Sequence, residues 1–163
     1  MIYKFLLFTA LITISTNSYA VKYRDMGITD DEIAASIKSP KPTSISQLIT
    51  HIKTKHKTDD IDELDLGFNN ICVKGAAKIL EFANTLPKLK TLNLSNNRIY
   101  DWRGEEANDA FENQLVVLLN HPNFEDINLQ LNGVANSGYI EHLKSKIGVE
   151  GISKIRWIKN SND

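Results

Sequence analysis

Four histidines, one cysteine and scattered acidic pairs are the residues of this chain that could carry proton transfer, nucleophilic attack or metal binding. His51 and His56 are five apart, so a helix through both would put their rings on different faces. His121 precedes Pro122 in a turn, and His142 lies on the surface of an expected helix. None stands at metal-ligand spacing from Cys72 or from a carboxylate. Glu105/Glu106 and Asp59/Asp60 are adjacent, as solvated loops are. No G-x-S-x-G, P-loop or G-x-G-x-x-G motif occurs. The expectation is a protein with no catalytic residues, no metal and no cofactor, not an enzyme. A reaction centre would have to be built from the polar row of the sheet described below.

The chemistry that does recur is that of the carboxamide. Ile61, Leu64, Leu66, Asn69 and Ile71 spell L-x-x-L-x-L-x-x-N-x-L. Leu89, Leu92, Leu94, Asn97 and Ile99 repeat it, as do Phe124, Ile127, Leu129, Asn132 and Val134. Ile152, Ile155, Trp157 and Asn160 make a fourth copy near the C-terminus. Asn69 to Asn97 is 28 residues, Asn97 to Asn132 is 35, and Asn132 to Asn160 is 28. The longer interval marks one loop insertion and not a lost repeat. An Asn side chain both donates and accepts, so it can satisfy backbone groups where a strand leaves its sheet. Asn69, Asn97, Asn132 and Asn160 are expected to stack as a structural ladder.

These residues need short strands and helices to position them. In L-x-x-L-x-L the last two apolar residues alternate and point to one face of a strand. Strands are expected near 62–66, 90–94, 125–129 and 153–157. Between them Ala76, Ile79, Leu80, Ala83 and Leu86 recur at three and four, as one face of a helix, until Pro87 bars its continuation. Phe111, Leu115, Leu118 and Leu119 do the same before Pro122, and Ile140, Leu143 and Ile147 before Gly148.

The stretch from Ile61 to Leu92 resembles a repeat of the ribonuclease-inhibitor-like leucine-rich-repeat class. Asn69, Ile71, Gly75, Ala76, Ile79, Leu80, Ala83 and Leu86 stand in its N-x-I-x-x-x-G-A-x-x-I-L-x-x-A-x-x-L signature. The resemblance covers about residues 61–160. It implies an α/β fold, a short right-handed β/α solenoid with a parallel sheet on the concave side and helices on the convex side. It does not imply ribonuclease inhibition, since the repeats are few and the chain is not Cys-rich.

The flanks differ. Met1 to Ala20 reads as a signal peptide: Lys4, an apolar run from Phe5 to Ile14, and small residues before a cut near Ala20. The alternative is a retained anchor helix, against which polar Thr13, Ser15, Thr16 and Asn17 interrupt the run. The expected location is secreted or periplasmic, with no membrane contact after cleavage. Residues 21–60 do not fit the repeat and are expected to form an N-terminal helical cap, with one helix begun by Thr29–Glu32 and carried by Ile33, Ala34 and Ile37. Ile45, Leu48, Ile49 and Ile52 make a second. Residues 161–163 form a frayed tail. Cys72, the single cysteine, allows no internal disulfide and is expected to be packed, the alternative being a reactive thiol. A formal net charge of -1 gives no electrostatic case for nucleic acid.

The architecture points to a protein partner on the concave face. Its outward residues are Glu63, Asp65 and Gly67; Thr91, Asn93 and Ser95; Asp126, Asn128 and Gln130; then Lys154, Arg156 and Ile158. Charge on this face is expected to run from acidic through polar to basic. A merely solvated sheet face is the competing reading. The inserted loop carries Tyr100, Trp102 and Arg103, side chains favoured in binding hot spots, unless Trp102 folds back on the helices. The sequon Asn93-Leu94-Ser95 would place a glycan on this face, which favours a bacterial source. A host protein is the expected target if that source is host-associated. The alternative function is a regulator of a partner enzyme, of inhibitor or GTPase-activating type, with Arg98 and Arg103 at the sheet edge.

Overall fold

The computed structural model describes residues 19–31, 42–99, 105–133 and 137–157. Strands β1 (Ala20–Lys22), β2 (Glu63–Asp65), β3 (Thr91–Asn93), β4 (Asp126–Asn128) and β5 (Ile155–Arg156) form one sheet. They are joined in turn by α1 (Ile45–Lys55), α2 (Val73–Ala83), α3 (Glu105–Leu119) and α4 (Ser137–Ser153), with a 3-10 turn at Thr58–Asp60. Every strand pair is parallel, and spatial order equals chain order. A parallel sheet that grows always at the same edge keeps its crossovers on one side when their hand is uniform. The fold is therefore α/β, with a helical layer over one face of the sheet.

The register places Val21, Leu64, Leu92, Ile127 and Ile155 side by side. They project into the helical layer and are buried there with Leu80, Phe111, Leu115 and Leu143 in one continuous core. Each such aliphatic side chain contributes ~2 kcal/mol by leaving water. Ala76 and Ala83, also fully buried, bring α2 close to the strands.

The helices start and stop for local reasons. Ser44 caps α1, its hydroxyl accepting from the amide of Gln47 at 3.2 Å, while the Gln47 side chain accepts from the amide of Thr43 at 3.1 Å. The α2 N-cap residue, Cys72, supplies no side-chain cap. A distant residue does so instead: the Asp30 carboxylate accepts from the amides of Cys72 and Gly75, both at 2.9 Å. Helix α4 is broken at Gly148, whose φ of 71° lies in the left-handed region that glycine enters without penalty. The helical face carried by Leu143 thus ends where expected, and a further turn leads to Ser153.

Three expectations need correction. Residues 21–60, expected as a purely helical cap, also contribute to β1, which pairs with β2 from Ala20↔Glu63 to Lys22↔Asp65. Backbone φ is positive at Asp25, Phe68, Asn96 and Leu131, each just before the residue at the asparagine position. Met26 fills that position in the first rung, and Ile28 stands where Ile71 and Ile99 do. The first rung is thus a 43-residue version of the repeat, measured from Val21 to Leu64. Cys72 is only half-buried, because it sits at a helix start and not inside the core. Finally, His56 lies past the end of α1 in extended backbone, so helical spacing does not separate it from His51. Both rings pack edge-on against Tyr23, at centroid distances of 5.7 Å for His51 and 6.3 Å for His56.

No helix among the described residues is long and apolar enough to cross a membrane. Ile33, Ala34, Ile37, Tyr100, Trp102, Arg103, Val134, Ile158 and Asn160 lie outside the described residues, as does the side chain of Ile140.

Candidate binding face

The face of the sheet away from the helices carries two rows of side chains, polar but for Ala20. One runs Ala20, Glu63, Thr91 and Asp126, the other Lys22, Asp65, Asn93, Asn128 and Arg156. Beyond the strand ends Gly67, Ser95 and Gln130 continue it, and backbone pairing persists there through Phe68 to Ser95 and Asn96 to Gln130.

Much of this polarity is used by the fold. The side-chain oxygen of Asp65 accepts from the amide of Gly67, that of Asn93 from Ser95, and that of Asn128 from Gln130, each at 3.0 Å. These are three copies of one turn, closed by an Asp or Asn two residues before the amide it holds. Asp65 is further engaged, accepting from Asn93 Nδ2 at 2.8 Å, and it is buried. A side chain on Gly67 would meet Asn93, Asp65 and Ser95 within 3.2 Å, so the surface there is closed by its own polar groups. Ser95 is buried, whereas Glu63, Thr91, Asn93, Asp126, Asn128 and Gln130 are half-buried and Arg156 is exposed.

Charge does not run in one direction across the face. Strand β1 adds Lys22, 3.4 Å from Glu63, and Arg24 follows it, 4.0 Å from Asp65. At the far side Arg156 forks onto the Asp126 carboxylate, with Nε donating at 2.7 Å and 2.9 Å. Lys154 leaves the row altogether, since its ammonium donates to the carbonyl of Leu119 at 2.8 Å. The acidic end is thus flanked by cations, and a mostly neutral, half-buried band of Thr91, Asn93, Asn128 and Gln130 lies in the middle.

Behind the face run the asparagines. Asn69 Nδ2 donates to the carbonyls of Tyr23, Leu66 and Gly67, while its Oδ1 accepts from the amides of Met26 and Ile28. Asn97 donates to Leu66, Leu94 and Ser95 and accepts from Ile71. Asn132 donates to Leu94, Leu129 and Gln130 and accepts from Asn97 and Ile99. Each side chain serves its own turn and the one before it, and all three are buried.

No family model, curated protein or solved structure matches this chain.

Two carboxylates away from this face have structural partners. The Asp31 carboxyl is partly desolvated, which opposes its charge, but hydrogen bonds from Lys78 and Ser46 outweigh this and hold it well below the usual carboxylate range. Glu112, buried between α3 and α4, accepts from Lys146 at 2.5 Å and lies 3.1 Å from His142. Among the described residues, no group of three or more His, Cys, Asp or Glu could hold a metal ion. An open groove of about 360 Å³ runs along the turns, lined by Asp25, Phe68, Asn70, Asn96 and Arg98 among others. Phe68, on its rim, is exposed under the Arg24 guanidinium at 4.2 Å. The groove was missed in the sequence because nothing there marks Asp25 as the first member of the turn series.

Proposed function

We propose that this chain is an exported leucine-rich-repeat module that binds a protein partner and is not an enzyme. On this reading it is a short right-handed solenoid of the ribonuclease-inhibitor-like class, its open sheet face concave. The carrying observation is the half-buried neutral band of Thr91, Asn93, Asn128 and Gln130, held in register by the strands and fixed by turns beneath it. A rigid, hydrogen-bond-rich surface with ionic groups already paired at both margins suits a polar protein surface, because little conformational entropy remains to be lost on docking. The inserted loop with Tyr100, Trp102 and Arg103 would supply the apolar anchor.

The test uses the exported chain as bait, with a double variant Thr91→Arg/Gln130→Arg and a loop variant Trp102→Ala. These positions avoid the turn-closing side chains of Asp65, Asn93 and Asn128. Binding of the captured partner should fall at least tenfold for the double variant, about 1.4 kcal/mol, with an unchanged melting curve. Equal affinity for wild type and both variants would remove the site from the sheet and the loop together.

A further inference from the structure

Past the apolar run that ends at Ile14, the small side chains that a leader peptidase requires at the first and third residues before its cut occur twice here, as Thr16 and Ser18 or as Ser18 and Ala20. Sequence alone places the cut near Ala20. The fold distinguishes them, because Tyr19 is built into it. Its amide donates to the Asp62 carboxylate at 2.8 Å, and its carbonyl accepts from the Asp62 amide at 3.3 Å. Its hydroxyl lies 2.8 Å from His56 Nδ1, and the two rings meet edge to face at 5.8 Å. Next in line, Ala20 opens strand β1 in register with Glu63. A cut after Ala20 would remove all these contacts and shorten a three-residue strand to two.

From this geometry, and resting on the export reading above, we infer that the leader is removed between Ser18 and Tyr19, leaving Tyr19 as the first residue of the mature protein. Water adds across the Ser18–Tyr19 amide, Ser18 departs as a carboxylate, and Tyr19 keeps its nitrogen as an α-ammonium. That nitrogen already lies at hydrogen-bond distance from Asp62 Oδ1. Processing converts an amide donor into a charged one, and charge-assisted bonds to carboxylates are the stronger kind. The new terminus would be pinned to the turn before β2, and His56 would keep a tyrosine hydroxyl on each ring nitrogen, Tyr19 on one and Tyr23, at 3.1 Å, on the other.

The experiment expresses the full chain in an export-competent host and reads the first residue of the exported product by N-terminal sequencing and intact mass. Ser18→Leu and Ala20→Leu variants are run beside it. Tyr19 as first residue, lost in Ser18→Leu and retained in Ala20→Leu, is the expected result. Val21 as first residue would overturn the inference and leave the export reading standing. A product that retains Met1 and stays with the cells would overturn both.

Discussion

The Asp30 carboxylate lies where a side chain on Gly75 would have to go: a Cβ there would stand 2.2 Å from Asp30 Oδ1. The same carboxylate is the N-terminal cap of α2, so a residue of the first rung holds the helix of the second. Gly75→Ala must therefore displace the cap or the helix. A destabilisation of about 2–3 kcal/mol is expected, read as a lowered denaturant midpoint with unchanged slope. Asp30→Ala removes the obstacle together with the cap, so the double variant should cost clearly less than the two single changes added. Strict additivity would show that the two residues do not meet.

Asn97→Ala should cost about 3 kcal/mol. It strands the amide of Ile71 in a buried site and takes one donor from each of the carbonyls of Leu66, Leu94 and Ser95, which keep Asn69, Asn132 and the Phe68 amide respectively. Hydrogen exchange gives the sharper check, since the Ile71 amide should lose protection in this variant while the Leu115 amide keeps most of its own. Uniform loss along the chain would instead indicate a single global unfolding unit.

Leu131 is largely exposed, and its φ of 59° is a conformation that L side chains other than Asn and Asp rarely adopt. Leu131→Asn keeps the turn and relieves the strain. The melting temperature should rise, by the equivalent of about 0.5–1 kcal/mol. A fall would mean that the leucine packs on something that offsets its backbone cost.

Asp31 couples α1 to α2 through Ser46 and Lys78. Its folded pKa lies below the unfolded value, so its contribution is present above the unfolded pKa and is lost as pH falls through the folded one. Asp31→Asn should accordingly lower the melting temperature at pH 7, and the gap to wild type should close progressively below about pH 4. Thermal melts at pH 2 to 7 test this. A gap that is constant with pH would assign the effect to packing.

The central rungs were legible because Leu64, Leu92 and Ile127 recur with their asparagines at one offset, and that offset is set by strand and turn geometry alone. The first rung was not legible, for a physical reason. Each asparagine reaches back to an earlier turn, and β1 is the first strand among the described residues, so no earlier described turn needs Met26 to hold a carboxamide. The added length before β2 also breaks the period. Alternation puts Glu63, Asp65, Thr91, Asn93, Asp126 and Asn128 on one face of the sheet, but it does not say what a polar side chain is bonded to. Asp65, Asn93 and Asn128 were read as contact residues, and they close turns. For two of them the signal was present, as Asp65-x-Gly67 and Asn93-x-Ser95 at the ends of β2 and β3, whereas Asn128-x-Gln130 at β4 carries none. His51 and His56 were separated on paper by a helix that stops at Lys55.

Between rungs the asparagine side chains all reach back, each from its own turn to the turn before it. Asn132 accepts from donors of the turn before it, and Asn97 does likewise. Peeling off a late rung therefore leaves hungry amides on its predecessor, and peeling off the first rung frees amides as well, because Asn70 donates to the Ile28 carbonyl and Cys72 and Gly75 donate to the Asp30 carboxylate. Fraying begun at either end should therefore be passed on to the neighbouring rung.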